Sequence, residues 1–394
     1  MKQNILIMQS GGCTPVLNCS LYGLVQEAQS HPASIGDIYG AHYGMEGIID
    51  GDLIDLRRTP ADEWLRIAHT PGAVLGSTRR KLRDEDVQPI LHTLRKHNIG
   101  CWFIIGGNDS ATTGHAIGQA AESDGLPLTV INIPKTIDND LVLTDHSPGY
   151  GSAARFVALA TMGAAWDAEA MGIAAPITII EVMGRDAGWL AAASAFAKRD
   201  ERDAPHFIGV PEIPLDETRF LDCIEDAYRR YGFAVAVIAE NTRTPDGKPV
   251  GEQGEPYYID DFGHPYYDGP SRYLAAQVSR QLGVRTRHEK PGTIQRSMMA
   301  CVSQPDAQEA EMAGRAAVRS AIAGERDIII TLERTSGDDY ACTTGTAPLA
   351  AVGSKVKRMP PDYLDPTNHF VTQPFLDYAR PLLGDHLPHY GRLR

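Results

Sequence analysis

Cysteine is scarce in this chain, with six residues scattered among 394. No C-x-x-C pair occurs, and no cysteines and histidines have the spacing of a metal site. A disulfide framework is therefore not expected. The cysteine content instead favours a reduced, cytoplasmic setting.

Long apolar runs and an excess of positive charge are also missing. No apolar run is long enough to cross a bilayer, and residues 1–8 lack the longer apolar core and cleavage site of a signal peptide. The formal net charge of -13 argues against a nucleic-acid surface. We expect neither a membrane nor a nucleic acid as partner, although an acidic protein can still form a local cationic pocket for a small anion.

The pattern that is present is an alternation of strand-like apolar runs and helical segments. It predicts parallel α/β units, and the length suits two domains better than one. The predicted strands are residues 5–8, 102–105, 128–133, 177–181, 206–210 and 234–239. Each ends in a polar cluster, and ligands of open α/β sheets bind beyond the carboxyl ends of strands. Together the clusters indicate a binding site.

The stretch of residues 132–140 carries the strongest of these signals. Pro134 follows a buried strand and ends it, because proline offers the sheet no N–H. Lys135, Asp138 and Asp140 come next, and in an extended segment the two aspartates would point the same way. Charged groups at the end of a buried strand are costly unless they meet ligands. An ordinary turn is the alternative interpretation.

Two glycine pairs follow other predicted strands. Gly11-Gly12 lets backbone N–H groups approach a phosphate at the start of a helix, and Gly106-Gly107 precedes Asn108 and Asp109 in the same way. Each pair alone is also compatible with a tight turn. Neither fits G-x-G-x-x-G, so a nicotinamide dehydrogenase is not supported.

Further charged residues have both functional and structural interpretations. Residues 76–81, Gly-Ser-Thr-Arg-Arg-Lys, are either a solvated surface run or an anion site, and the small lead-in residues favour the anion site. His146 is either a base or, more simply, a hydrogen-bonded structural histidine. It precedes a helix that Ser152 is expected to cap.

The remaining segments are less regular. Residues 242–269 are rich in Gly, Pro, Asp and Tyr and predict a long loop. Helices are predicted near residues 271–281 and 308–323, and a strand at residues 328–332. The proline-rich tail, residues 359–394, predicts an extended arm with a short helix.

These motifs together resemble the phosphofructokinase family. The matching pieces, in family order, are Gly11-Gly12, Pro15, Asn18, Gly76-Ser77-Thr78-Arg79, Gly106-Gly107-Asn108-Asp109-Ser110, residues 134–140, Met183-Gly184-Arg185, Pro211-Glu212, Glu240, Gly292 and Gln295-Arg296. The resemblance implies two Rossmann-like, three-layer α/β/α domains with mainly parallel sheets and a site between them. It places residues 1–145 and roughly 297–345 in a donor-binding domain, and residues 146–296 and roughly 346–394 in a sugar-phosphate-binding domain.

The resemblance also implies phosphoryl transfer to the 1-hydroxyl of fructose 6-phosphate. Asp138 matches the general base, in a catalytic set with Lys135, Thr136 and Arg185, and Mg²⁺ is expected near Asn108 and Asp140. Donor contacts are implied for Gly11, Gly12, Tyr43, Arg79, Gly107, Asn108 and Asp109. Sugar-phosphate contacts are implied for Thr136, Asp138, Met183, Gly184, Arg185, Glu240, Arg287 and Arg296. Arg287 is expected to reach a neighbouring subunit, which predicts a homodimer or homotetramer.

Two positions predict pyrophosphate as the donor. Family members that use nucleotides have glycine at the positions of Asp109 and Lys135, and the Asp/Lys combination is the pyrophosphate-dependent pattern. A carboxylate at 109 would repel a nucleotide's α-phosphate, which pyrophosphate lacks. Lys135 would suit a compact, highly charged donor.

Several positions depart from the family pattern. Asn108 replaces a metal-associated aspartate, which predicts weaker metal affinity. Thr293 and Pro176 replace residues that contact the sugar phosphate, so a related phosphorylated sugar is an alternative acceptor. Tyr22 and Gln26 replace effector-binding arginines, which predicts no nucleotide-effector control. An ATP-dependent kinase and a non-catalytic, metabolite-binding subunit remain the alternative functions.

Overall fold

The computed structural model describes residues 2–251, 258–259, 265–266, 269–335, 337, 339–353 and 355–393. The strands are β1 (Gln3–Gln9), β2 (Ile35–Ala41), β3 (Leu53–Asp55), β4 (Ile99–Gly106), β5 (Thr129–Pro134), β6 (Ile177–Val182), β7 (Phe207–Gly209), β8 (Ala234–Ala239), β9 (Tyr258–Ile259), β10 (Pro265–Tyr266), β11 (Thr286–Glu289), β12 (Ile328–Arg334), β13 (Cys342–Pro348), β14 (Leu364–Asp365) and β15 (Phe370–Val371).

Helices alternate with these strands along most of the described chain. They are α1 (Leu17–Ser30), α2 (Met45–Asp50), α3 (Ala61–Ala68), α4 (Asp84–Lys96), α5 (Asn108–Ser123), α6 (Tyr150–Met171), α7 (Trp189–Ala193), α8 (Glu217–Tyr231), α9 (Pro270–Leu282), α10 (Gln304–Ala323), α11 (Leu349–Val352) and α12 (Gln373–Ala379). Local sequence sets their ends. Asp216, for example, caps α8 by accepting a hydrogen bond from Arg219 N, and Gly232 ends that helix in the left-handed conformation. No described helix is both long and apolar enough to span a membrane.

The chain forms two compact units. The first comprises Met1–Ser152 and Arg296–Lys357, and the second comprises Ala153–Gln295 and Arg358–Arg394. The domain limits expected from the sequence, near residues 145 and 345, differ from these. Hydrogen bonds explain the difference: Ser152 N and Oγ donate to Asp306, and Lys357 N donates to Asp140 O, so both boundary residues are held by the first unit.

The first unit is built on a seven-stranded sheet in the order β13-β12-β5-β4-β1-β2-β3. The five central strands are parallel, while β13 and β3 pair antiparallel at the edges. Ile5 and Ile7 join a core cluster with residues of α1 and α10. Leu6 and Met8 join a second cluster with residues of α4 and α5. Because alternate residues of β1 face opposite ways, the sheet is covered on both faces.

The second unit has a smaller, wholly parallel sheet in the order β11-β6-β8-β7. On one face, Ile179, Ala236 and Ile238 form a core with residues of α8 and α9, including Phe220 and Leu274. Helix α7 packs against β7 and β8. All six residues of β8 are buried, as expected for a central parallel strand.

Most predicted strands and helices agree with the structure to within a few residues. The expected cap at Ser152 is wrong: α6 begins at Tyr150, and the Ser152 hydroxyl donates to Asp306 instead of accepting a backbone N–H at the start of its helix. The tail contains the predicted short helix, α12, but also the ribbon β14–β15. Part of the predicted loop at residues 242–269 lies outside the described residues.

Candidate active site

The polar clusters of the first unit meet at one edge of its sheet. Strands β1, β4 and β5 are neighbours and run parallel, so their carboxyl ends lie side by side. Gly11 and Gly12 follow β1, Gly107 and Asn108 follow β4, and Lys135 follows β5. The sequence clusters thus become neighbours in space because of the strand order.

Gly11 and Gly12 form a floor on which cationic side chains lie. Gly11 has a φ of 80°, and a Cβ added there would lie 3.1 Å from Lys135 Nζ. A Cβ on Gly12 would collide with Arg296 Nη1. Lys135, which is 4% exposed, donates a hydrogen bond of 2.6 Å to Gly12 O. A Cβ at either glycine would move these cations, and at Gly11 it would also be strained by the positive φ.

Arg79 is the third cation at this floor. Its Nη2 lies 3.7 Å from the position of a Gly12 Cβ. The segment is held in place by Ser77 Oγ, which donates to Gly11 O at 2.6 Å, and by Gly11 N, which donates to Thr78 O at 2.8 Å. The neighbouring Arg80 has a different role.

Arg80 forms an ion pair with the buried carboxylate of Asp86, which also accepts Arg83 N at the start of α4. This ion pair holds the pKa of Asp86 below its usual value. Within the predicted cation run, Arg79 therefore lies at the candidate site, whereas Arg80 stabilises the fold through Asp86. Arg79, Lys135 and Arg296 converge on one small area, where multiple cations suit a multiply charged phosphate group.

Asn108 and Asp140 lie together beside this floor. Asn108 Nδ2 donates to Asp140 Oδ2 at 3.3 Å, and Asp140 is 6% exposed. Asn108 Oδ1 is buried and has no hydrogen-bond partner among the residues that the structure describes. A buried amide oxygen without a donor, next to a buried carboxylate, fits the oxygen ligands that Mg²⁺ prefers.

The Asp138 carboxylate lies on a tight turn. Asp138 N donates to Thr136 Oγ1 at 3.1 Å, and Thr136 N donates to Pro148 O at 3.2 Å. The expectation of an extended segment, in which Asp138 and Asp140 would point the same way, is wrong, because Asn139 has a φ of 54°. Asp138 remains partly exposed while Asp140 is buried.

Asp109 and Tyr43, which are both predicted to contact the phosphoryl donor, are exposed. Asp109 is exposed in the first turn of α5, where a carboxylate also interacts favourably with the helix dipole. Tyr43 is 57% exposed and has a φ of 54°. Its ring packs on Gly76, where a Cβ would approach Tyr43 Cδ1 to 2.6 Å. Left-handed non-glycine residues are costly and cluster at functional sites.

In the second unit, the ends of β6 and β8 bring a carboxylate to a backbone loop. Arg185 N donates to Glu240 Oε1 at 3.2 Å, and Glu240 N donates to Val182 O at 2.9 Å. The loop is sharply bent, with φ values of 143° at Gly184 and 50° at Arg185. Burial raises the pKa of the Glu240 carboxyl, and the nearby carboxylate of Glu181 raises it further.

Met183 is positioned by a residue that the sequence did not assign to the site. Met183 N donates to Gln295 Oε1 at 3.2 Å, and Gln295 Nε2 donates to Gly292 O at 2.9 Å. Gln295 is 1% exposed. The sequence signal that could have identified Gln295 as a site residue was its position in the Gly292–Arg296 motif. Glu212 was also missed as an anchor, although it accepts Gly188 N through both carboxylate oxygens at 3.1 Å.

Arg287 does not lie at the loop of Met183, Gly184 and Arg185 that follows β6. Arg287 pairs with Thr178 near the amino end of β6, whereas Met183 follows the carboxyl end. Its guanidinium forms an ion pair with Asp167 of α6. Pro176, whose carbonyl accepts Ala234 N, lies at the same amino end. Arg296 belongs to the first unit and Arg287 to the second, whereas the approximate limit expected near residue 296 placed both in one domain.

Of the two interpretations of His146, a base or a hydrogen-bonded structural histidine, its contacts favour the structural one. It is 1% exposed, and its Nδ1 and Nε2 lie 2.8 Å from Asp145 Oδ2 and 2.6 Å from Glu309 Oε2. These two carboxylates raise the pKa of His146 against the effect of burial. Both ring nitrogens are engaged, so the ring is held as a charged link between the two carboxylates.

The chain is similar to known proteins over most of its length. The sequence model of the phosphofructokinase family matches residues 4–321. A pyrophosphate–fructose 6-phosphate 1-phosphotransferase from Rhodospirillum rubrum is 37% identical over 100% of this chain and 97% of its own length. A sulfofructose kinase from Alkalicoccus urumqiensis is 32% identical over 91% of each protein.

A solved structure has a fold similar to that of this chain. The crystal structure of a pyrophosphate-dependent phosphofructokinase from Marinobacter aquaeolei matches with a TM-score of 0.88 at 34% identity. The match covers 99% of this chain and 94% of the other. The fold class predicted from the sequence is thereby confirmed.

Proposed function

This chain belongs to the phosphofructokinase family of phosphotransferases, and we propose that it transfers a phosphoryl group from pyrophosphate to fructose 6-phosphate. The observation that carries the proposal is the convergence of Lys135, Arg79 and Arg296 on the Gly11–Gly12 floor. Arg296, which the resemblance assigned to the sugar phosphate, is here proposed to serve the donor. Such an arrangement fits a small and highly charged donor. The similar proteins named as pyrophosphate-dependent enzymes support it.

The proposed reaction requires one base and several cations. Asp138 accepts the proton of the 1-hydroxyl as its oxygen forms a bond to phosphorus, and the P–O–P bond of pyrophosphate breaks to release phosphate. Lys135, Arg79 and Arg185 offset negative charge on the moving group and on the departing phosphate. The other phosphorylated product is fructose 1,6-bisphosphate. The reaction is proposed to be reversible.

Asn108 and Asp140 would hold Mg²⁺, since their oxygens fit a hard divalent cation. When bound, the metal would supply positive charge to the phosphoryl oxygens. Asn108 contributes no charge of its own. The protein is therefore expected to require a higher Mg²⁺ concentration than a counterpart with aspartate at this position.

Donor choice is proposed to depend on Asp109 and Lys135. The exposed Asp109 carboxylate would repel the α-phosphate of a nucleotide, which pyrophosphate does not have. Lys135 already approaches Gly11 and Gly12, where a compact donor would bind. An ATP-dependent kinase is the alternative that these two side chains argue against.

Two acceptors are compatible with the chemistry of the predicted sugar-phosphate contacts. Thr293 is exposed in the Gly292–Arg296 turn, where the resemblance implies an aromatic or imidazole group beside the sugar phosphate. The similarity to a sulfofructose kinase makes a sugar with a different acidic group at carbon 6 the second candidate. We also propose a cytoplasmic homodimer or homotetramer without nucleotide-effector control, given Tyr22 and Gln26 on α1.

Initial rates with separate donors test the proposal. The purified protein is given Mg²⁺ and either fructose 6-phosphate or 6-deoxy-6-sulfofructose, with pyrophosphate or ATP as sole donor. We expect turnover of fructose 6-phosphate with pyrophosphate alone. Turnover with ATP alone would overturn the donor assignment, turnover of the sulfo-sugar alone would overturn the acceptor assignment, and no turnover with any pair would favour a non-catalytic subunit.

A further inference from the structure

The loop that carries Asp138 has an unfavourable backbone conformation. Leu143 has a φ of 64°, in the left-handed region that bulky residues rarely adopt, and Asn139, a residue type that enters this region more readily, has a φ of 54°. Such residues persist only where surrounding contacts determine their conformation. The contacts that hold this loop therefore affect the position of the Asp138 carboxylate.

Lys357 is the residue that reaches the loop from farthest along the chain. Its Nζ donates to Asp145 O at 2.8 Å, to Thr144 O at 3.2 Å and to Asn139 Oδ1 at 3.4 Å. Its backbone N donates to Asp140 O at 2.7 Å. An ammonium group has three N–H donors, and here each one has an acceptor on the same loop.

Asn139 connects Lys357 to both ends of the loop. Its Oδ1 also accepts Ser147 N at 3.1 Å, and Asn139 is completely buried. The carboxyl-terminal part of the loop is attached separately to β12, since Asp145 N and Thr144 Oγ1 donate to Leu332 O. The part of the loop that contains Asp138 and Asp140 is held by Lys357, which bonds to the Asn139 side chain and to Asp140 O.

We infer that Lys357 is a positioning residue for the proposed phosphoryl transfer, holding Asn139 and Asp140 so that the adjacent Asp138 carboxylate and the Asp140 metal ligand keep their places. The inference rests on the proposed function for its catalytic part. Lys357 acts on the loop through the carbonyl and amide oxygens that accept its hydrogen bonds. No sequence motif marks it.

The first test compares Lys357→Met and Lys357→Gln with Lys355→Met. Lys355 is exposed in the same segment, which makes it a matched control. We expect kcat to fall ~10- to 10²-fold in both Lys357 variants, because displacing a reacting group by about 1 Å has this scale of effect. KM for both substrates should change less than about threefold, since binding groups are retained. Lys355→Met should match the wild type.

Chemical rescue distinguishes positioning from a general loss of structure. Lys357→Ala leaves space for a small cation, and ethylammonium provides the three N–H donors of the missing group. We expect kcat to rise with ethylammonium and not with tetramethylammonium, which has the charge without the donors. Wild-type kcat in Lys357→Met and Lys357→Gln would overturn the inference, as would equal rescue by both cations.

Hydrogen exchange keeps the inference testable if the proposed function fails. Backbone amides of residues 138–147 are followed by mass spectrometry in the wild type, Lys357→Gln and Lys355→Met. Faster exchange of this segment only in Lys357→Gln is the expected result. Unchanged exchange would overturn the role of Lys357, whereas inactivity of the wild type toward every donor and acceptor would overturn the proposed function alone.

Discussion

The two sheets end in loops that are stabilised in different ways. In the first unit, the loops carry charged side chains that pack on glycines, such as Lys135 beside Gly11 and Gly12. In the second unit, backbone N–H groups of Met183 and Arg185 donate to the side chains of Gln295 and Glu240. The first loop cluster is rich in cations, and the second presents a carboxylate.

This difference matches the two kinds of ligand that the proposed reaction requires. A polyphosphate has charge but few distinguishing features, so several cations around a small floor are sufficient to bind it. A sugar is recognised through its hydroxyl groups, and a carboxylate held by backbone donors can accept from one of them. The comparison predicts that charge removal affects the donor in the first unit and the acceptor in the second.

The largest effect is expected for Asp138, which takes part in the chemical step. Asp138→Ala should lower kcat at least ~10²-fold with little change in sugar KM, because the general base is lost. Asp138→Asn, which keeps the size of the side chain, should be equally impaired. Steady-state kinetics measure both, and near-normal turnover in either variant would refute the assignment.

Removal of the Lys135 charge should affect the donor selectively. Lys135→Met loses the ammonium at the Gly11–Gly12 floor, and kcat/KM for pyrophosphate should fall ~10- to 10²-fold, the scale of a charge-assisted hydrogen bond. Sugar KM should remain nearly unchanged. Lys96→Met, an exposed change at the end of α4, is the control. An equal effect on both substrates would contradict the separation of roles.

Glu240 provides the corresponding test in the second unit, through pH. Burial raises the Glu240 pKa above the ordinary value of 4.5, so the carboxylate binds a proton at higher pH than an exposed glutamate does. Sugar KM of the wild type should therefore increase as pH falls through this raised pKa, while pyrophosphate KM does not.

Glu240→Gln should raise sugar KM about tenfold and make it independent of pH over the same range. Asp222→Asn, an exposed change on α8, should leave the wild-type pH profile intact. A pH-dependent sugar KM that persists in Glu240→Gln would mean that another group titrates.

The smallest effect is expected for Asp109. Asp109→Gly removes the carboxylate that should repel a nucleotide, so ATP turnover should rise several-fold while pyrophosphate turnover changes little. Competition between the two donors at fixed fructose 6-phosphate measures the change. If ATP use stays undetectable, donor choice is set at another position, with Lys135 the first to examine.

Strand-forming segments were the part of the structure best predicted from the sequence. Residues 234–239 form β8 as predicted, because a run of buried apolar residues has few alternatives. The edge strand β13 was missed since its threonine-rich sequence has no apolar periodicity. The pairing of Asn108 with Asp140 follows from adjacent strands, so the polar clusters at strand ends were informative.

Long-range side-chain contacts were not predictable from the sequence. Lys357 lies just before the tail, in a segment without a recognisable pattern, and only the fold brings its ammonium to the loop containing Asn139. The sequence around Asn139 is also compatible with an ordinary turn, and it does not show that a left-handed φ at Asn139 interrupts the extended segment expected for Asp138 and Asp140. Ser152 looks like a helix cap until Asp306, far along the chain, accepts its hydroxyl hydrogen.

The most direct test of the account is a ³¹P NMR time course with wild-type protein, Mg²⁺, fructose 6-phosphate, pyrophosphate and ATP in one sample. The account predicts that the pyrophosphate signal decreases while inorganic phosphate and a new sugar phosphomonoester increase in equal amounts, with the ATP signals unchanged. Loss of the ATP γ-phosphate signal with constant pyrophosphate would contradict the assignment of the Lys135, Arg79 and Arg296 cluster to a pyrophosphate donor.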